Sequence, residues 1–342
     1  MIKKIIILLT VLLVLFIGGS TYYIVNSMKA VNPGAIDNDV DFTVNEGEFL
    51  YSVLAKLEEK DLLRNPWIYK IYNRTVRELN VKKGFYRLSS ASTGLEILSV
   101  LEEGKQELLR LTIPEGMRAS QIALLLEEKG ITSSAAFMAA VNDSELMESL
   151  HIPADSAEGY LFPDTYYFQK DFPPQKVLEY MVATYFRNLD SIFPFYVDLS
   201  DEKLQEKLIL ASIIEKEYRV EEEAALIASV FNNRMKIGMP LQSCATVIYV
   251  ITEEQGKEHP ERIFFRDLEI PSAFNTYLNN DLPPAPISNP GITALSAAFN
   301  PAQTDYLFFV VKDSMLGTHT FTSNLADHNT ARHSYIQGFR SK

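Results

Sequence analysis

The chain has 342 residues, 47% of them apolar and 22% charged. That is enough apolar material for roughly two ordinary domains, and it excludes a disordered, collagenous or low-complexity protein. Lys and Arg number 32 against 44 Asp and Glu, a net charge of −12, and so acidic a surface repels phosphate backbones and argues against nucleic acid as a partner. A single cysteine, Cys244, excludes an internal disulfide and a Cys-rich zinc site. Five histidines are too few to suggest a metal-rich protein, and no metal or cofactor is assigned.

Lys3 and Lys4 precede an uncharged stretch over residues 5–28, whose first half is almost wholly aliphatic and whose far end carries Tyr22 and Tyr23. A helix of that length reaches about 36 Å, enough to cross a hydrocarbon core of about 30 Å. The lysines place the short N-terminal tip in the cytoplasm, and the tyrosines suit the opposite interface. A cleaved signal peptide is the alternative, but its apolar region is usually shorter, and Gly18-Gly19-Ser20-Thr21 is a poor cleavage site. Either way the rest of the chain lies outside the cytoplasm. The predicted layout is a cytoplasmic tip and anchor over 1–28 and a linker over 29–41. A small α+β region spans 42–150 and a second α+β domain 151–342.

Within 42–150 the sequence repeats itself. Val44-Asn45-Glu46-Gly47 leads through Val53, Leu54 and Leu57 to Glu58-Glu59-Lys60; Ile113-Pro114-Glu115-Gly116, 69 residues on, leads through Ile122, Leu125 and Leu126 to Glu127-Glu128-Lys129. Each copy reads as an extended run, a Glu-Gly turn and an amphipathic helix. Two copies are too few for a solenoid. Between them, residues 85–88 read as a strand and Gly94 to Glu103 as a helix. Such strand–turn–helix units loosely resemble the LysM peptidoglycan-binding module, and they equally suit a spacer.

From Ser156 the chain becomes dense in aromatics, with Glu158-Gly159-Tyr160-Leu161-Phe162-Pro163-Asp164-Thr165-Tyr166-Tyr167. A helix is predicted from Ser200, with Asp201 and Glu202 in its first turn, to about Arg219. A second follows, opening on Glu221, Glu222 and Glu223 and closed by Arg234, Lys236 and Gly238. Further on come a turn-rich stretch, a strand over 306–312 and a last helix over 325–339. On the first of these helices Leu210, Ile213, Ile214 and Glu217 fall at i, i+3, i+4 and i+7, so Glu217 extends an apolar face while Glu215 turns toward Ala211 and Ser212. A carboxyl among apolar neighbours has its pKa raised, as a general acid requires near neutrality. The same residues also read as a solvated helix end.

Several later strings are rich in amides, hydroxyls and aromatics: 231–234, 241–249, 274–277, 317–321 and 324–329. Sugar sites use such groups for hydroxyls, acetamido groups and pyranose faces, and ordinary loops also collect them. Taken in order, Ala211-Ser212-Ile213-Ile214-Glu215-Lys216-Glu217, Leu241-Gln242 with Thr246-Val247-Ile248-Tyr249, Asn275-Thr276-Tyr277, Leu282-Pro283-Pro284 and His319-Thr320-Phe321 followed by Asn324-Leu325-Ala326 and His328-Asn329 resemble the endolytic murein transglycosylase, or YceG-like, family. The resemblance runs from the anchor to the C-terminus.

It implies a bitopic inner-membrane protein with a LysM-like region and a catalytic domain that cuts nascent glycan strands, working beside peptidoglycan synthases. It places the catalytic glutamate at Glu217 and nominates Glu158, Tyr166, Gln242, Thr246, Asn275, Tyr277, His319, Phe321 and Asn324 for substrate binding. Ser243-Cys244-Ala245 departs from the family's frequent Thr-Asp-Pro, so no acid role is assigned at position 244. The implied chemistry uses one carboxyl as acid and then base, giving 1,6-anhydro-MurNAc ends. A hydrolytic glycosidase and a non-catalytic wall-binding scaffold are the competing readings. A zinc site from His319, His328 and His333 matches no common spacing.

Overall fold

The computed structural model describes residues 2–34, 39–45, 47–105 and 108–340. It is a mixed α+β structure whose chain divides into two compact units, Met1–Leu109 and Arg110–Lys342.

The first unit opens with α1 (Ile2–Ser27), which is long and apolar enough to cross a membrane. There follow β1 (Asp39–Val44), α2 (Leu50–Glu59), α3 (Pro66–Thr75), β2 (Gly84–Ser89) and α4 (Gly94–Glu103). β1 and β2 pair antiparallel with Phe42 opposite Tyr86. Their inward side chains meet Val53, Leu54 and Leu57 of α2 and Ile97, Leu98 and Leu101 of α4 in one core. α4 starts where the sequence places it because Thr93 and Glu96 form a reciprocal capping box. Part of the expected linker is fastened to this unit: Ala30 is buried, and the Asn32 N–H donates to the Ser90 carbonyl at 3.0 Å.

The second unit contains β3 (Leu109–Thr112), α5 (Ala119–Glu128), α6 (Ser134–Val141), α7 (Ser144–Ser149), β4 (Thr165–Phe168), α8 (Pro174–Ile192), α9 (Asp201–Ile214), α10 (Glu221–Lys236), α11 (Cys244–Tyr249), α12 (Ile292–Phe299), β5 (Phe308–Asp313), β6 (Thr318–Thr322) and α13 (Leu325–Arg340). β3 pairs with β4, and β5 with β6 in an antiparallel hairpin.

The repeat is structural as well as sequential. α2 and α5 are 10 residues each at the 69-residue offset, and Gly47 and Gly116 share a left-handed φ of 72°. Buried Val53, Leu54, Leu57 and Leu62 correspond to buried Ile122, Ala123, Leu126 and Ile131. The partner of Leu54 is thus Ala123, while Leu125 is only half-buried. Both helices close alike: a left-handed residue, Asp61 or Gly130, lets Leu62 or Ile131 donate its N–H back to Leu57 or Leu126 at 2.9 Å. Glu46 of the first Glu-Gly turn lies outside the described residues. The two copies fall in different units, and residue 150, the expected boundary, lies inside the second. β4, the strand that pairs with the second copy, comes only after α7.

α9 is the centre of the second unit, buried on every side from Leu208 to Ile214, with α12 packed against both it and α10. Ser200 caps its start as expected, accepting the Lys203 N–H. It ends at Ile214, five residues before the predicted Arg219. Beyond it Lys216 and Glu217 close short bonds back to Ile213 and Ile214 (3.0 and 2.9 Å). The cause is tertiary: Glu215 and Lys216 reach partners distant in sequence, which overrides their helical preference.

Candidate functional site

Both glutamates of the Glu-Lys-Glu string follow the end of this buried helix and meet different partners. Glu217 turns toward the N-terminus of α11, where Ser243 caps the helix by accepting the Ala245 N–H at 3.2 Å. That bond leaves the Ser243 hydroxyl hydrogen free to point at Glu217 Oε1, to which it donates. Ser243 is itself fixed, its N–H held by Thr276 Oγ1 at 3.0 Å, and Thr276 Oγ1 sits 2.9 Å from Thr246 Oγ1.

Arg234, from the last turn of α10, supplies the nearby positive charge. It is buried and immobilised, donating to the carbonyls of Leu307 (2.7 Å) and Leu241 (2.6 Å) with its guanidinium 5.4 Å from the Phe308 ring centre. Burial pushes the Glu217 carboxyl up to about 7, while the Ser243 hydroxyl and Arg234 pull it back. A group balanced in this way holds a proton near neutrality and tolerates its loss. Among the described residues, no second carboxylate is among the groups that act on Glu217. Tyr277 and Cys244 complete the cluster, their Oη and Sγ 3.1 Å apart, and Cys244 and Gln242 beside it are exposed.

Glu215 has a different set of partners. It accepts the Gly291 N–H at 2.9 Å and, with Glu115 nearby, is also raised to about 7, mainly by burial. The two carboxyls have different partners, and no single apolar stripe accounts for them: Ala211 and Ser212, on the side given to Glu215, are as buried as Ile213 and Ile214. Lys216, between them, donates to the Gly116 carbonyl at 3.1 Å.

The nominated binding residues divide sharply. Gln242, with a left-handed φ of 53°, and Tyr277 stand at the Glu217 cluster. Thr246 and Asn275 are fully buried supports; Asn275 ties the Leu268 and Ile270 carbonyls at 2.9 and 2.8 Å. Glu158 lies under the start of α5, accepting the Ala119 N–H and the Asn289 amide (3.0 and 2.7 Å), and burial raises it to about 7. Tyr166 is buried on Phe168, its hydroxyl spent on the Phe162 carbonyl. His319 is held by Glu223, Nδ1 to Oε2 at 2.7 Å, and Phe321 packs in the same hairpin with Tyr306 and Phe309. Asn324 accepts the Asp327 N–H at the head of α13, a capping position. His328 stacks on Phe308 rather than joining His319.

The YceG-like family model matches residues 42–334. The chain belongs to the YceG-like family. It is 30% identical to the endolytic murein transglycosylase of Bacillus subtilis, over 96% of this chain and 93% of that protein. The protein of that name from Streptococcus pneumoniae serotype 2 is 29% identical over 97% of this chain, which spans 65% of its length. A crystal structure of a putative YceG-like protein from Listeria monocytogenes shares 31% identity and superposes with a TM-score of 0.57, covering 86% of this chain and 99% of that one.

Sequence reasoning missed Ser243, Arg234 and Asn289. A Ser opening the short α11 segment is a readable cap signal, and Arg234 was legible only as a basic helix terminus. Ser243→Ala should shift the pH at which Glu217 loses its proton upward, because a donor to the charged form is gone, and Ser243→Thr should restore it. The pH midpoint of activity in the two variants measures this.

Glu158, Glu215 and Glu217 all hold protons above the usual glutamate value of 4.5, to about 7. Between those pH values the folded chain binds more protons than the unfolded one, so these groups stabilise it fully below 4.5 and their contribution is lost as pH rises through 7. Each contributes a slope of up to about 1.4 kcal/mol per pH unit. Denaturant midpoints across this window should fall less steeply in Glu217→Gln than in the parent.

Proposed function

We propose that this chain is a peptidoglycan lytic transglycosylase that cuts glycan strands internally, between MurNAc and GlcNAc, and leaves 1,6-anhydro-MurNAc ends. The reading rests on one observation: Glu217 is a half-buried carboxyl, held by the Ser243 hydroxyl and pushed up to about 7 by burial, and among the described residues no second carboxylate is among the groups that act on it. Retaining glycosidases set two carboxyls about 5 Å apart and inverting ones somewhat farther, to activate water or attack C1. A single carboxyl suits an intramolecular attack instead.

In this mechanism protonated Glu217 donates to the oxygen between MurNAc C1 and GlcNAc as the C1–O bond breaks. Glu217, now ionised and steadied by Ser243 and Arg234, accepts the proton of the MurNAc 6-hydroxyl while O6 bonds to C1. The proton returns to the carboxyl, and no water is consumed. Tyr277 and Gln242 flank the strand at the mouth of the site. α1 anchors the chain with its N-terminus in the cytoplasm, the repeat-bearing region with its LysM-like pattern engages or spaces glycan, and synthases in the same membrane supply the nascent strands.

Mass spectrometry of the products from intact glycan strands tests the reaction: anhydro ends are expected, and reducing ends would make the chain a hydrolase. Because Glu217 must start protonated, kcat/KM should fall above pH 7, approaching roughly tenfold per pH unit. A pH–rate profile flat to pH 9 would remove Glu217 from the role of acid.

A further inference from the structure

The outer face of α3 differs in character from the rest of the acidic chain. Trp67, Lys70, Ile71 and Arg74 recur at i, i+3, i+4 and i+7 and are all exposed, whereas Ile68 and Tyr69 face the core. α3 contains no acidic residue, although the chain as a whole carries −12. Exposed tryptophan and isoleucine on one face with two cations make the composition of a helix lying in a lipid headgroup region.

The position of α3 within the first unit points the same way. The Trp67 ring stacks on Tyr23 of α1, with centroids 6.4 Å apart and planes within 20°. The two residues border a groove with Leu15, Gly19 and Ser20 of α1. The pairing is held by the start of α3, where Asn65 Nδ2 donates to Ser27 Oγ at 2.8 Å and Ser27 is buried. Counted from residue 5, just after Lys4, a hydrocarbon core of about 30 Å takes up about 20 helical residues and ends beside Tyr23 and Ile24. A ring stacked on Tyr23 therefore lies at the level of the outer interface, where tryptophan is enriched.

We infer that the first unit is seated on the outer leaflet, with the α3 face Trp67–Lys70–Ile71–Arg74 against phospholipid headgroups and Trp67 inserted beside α1. The bilayer is the occupant because the groove it would fill has the membrane-crossing helix itself as one wall, and the two cations match anionic headgroups. The inference rests on the reading of α1 as an anchor and is independent of the chemistry at Glu217.

Trp67 is the only tryptophan in the chain, so its fluorescence reports on this face alone. Full-length protein is reconstituted into phosphatidylcholine vesicles containing a minor share of phosphatidylglycerol, with lipids brominated at shallow or deep acyl positions, and recovered by flotation. The expected result is blue-shifted emission, stronger quenching by shallow than by deep bromines, and protection from aqueous iodide. Protein that floats with the vesicles but shows water-exposed emission, open to iodide and indifferent to bromine, overturns the seating and leaves the anchor standing. That outcome would assign the face to a protein partner. Protein that fails to float overturns the anchor, and the seating with it.

Discussion

Glu217→Gln is expected to fold normally and to lose cleavage by roughly 100- to 10,000-fold, the range for removing general acid–base assistance, or more since one group serves both steps. Glutamine keeps the volume and an oxygen that can accept the Ser243 hydroxyl, so the cap of α11 survives. It has no proton to deliver to the leaving oxygen. Glu215→Gln should lose far less: its amide oxygen can still take the Gly291 N–H, and neither Ser243 nor Arg234 is among the groups that act on Glu215. Turnover of glycan strands by both variants, with melting curves to establish folding, makes the comparison. Anhydro ends formed at near parental rate by Glu217→Gln would end the one-carboxyl mechanism.

Local signals carried the sequence reading far where neighbours along the chain decide structure. α10 was legible to within a residue or two, because Glu221–Glu223 with Arg234 and Gly238 are dipole and capping signals written beside the helix. The repeat was legible because a Glu-Gly turn and an apolar period recur at a fixed offset. The end of α9 was not, since Glu215 and Lys216 are drawn off by Gly291 and Gly116, 76 and 100 residues away.

The same limit explains the binding residues. Polar composition marks loops that fold into tight buried networks as readily as loops that meet sugar. Thr246, Asn275 and Glu158 serve such networks, and only pairing partners distant in sequence distinguish the two uses. Arg234 illustrates the converse. As a helix-terminal base it has an ordinary reading, and only its bonds to the Leu241 and Leu307 carbonyls hold it where its charge acts on Glu217.

Asn289→Ala should be among the most destabilising single changes in the second unit. The Asn289 side chain is fully buried, and its amide makes four bonds. Oδ1 accepts the N–H groups of Gly159 and Leu161 at 2.8 and 2.9 Å, and Nδ2 donates to the Met117 carbonyl at 3.0 Å and to Glu158 at 2.7 Å. Alanine strands those partners away from water, at about 1–3 kcal/mol for each group left unpaired. Met117 keeps the Asn289 backbone N–H at 2.8 Å, so the expected total is about 3–5 kcal/mol, in the range reserved for broken buried networks. Asn289→Asp separates charge from shape. It retains the acceptor for Gly159 and Leu161 but sets a second carboxyl against Glu158, and two carboxyls so close share one proton. Its deficit should therefore be modest near pH 5 and grow as pH rises past 7, where Glu158 would otherwise ionise. Denaturant midpoints of both variants at the two pH values decide the matter. An Asn289→Ala chain as stable as the parent would mean that the segment joining α9, α5 and Glu158 is held by its backbone and not by this amide.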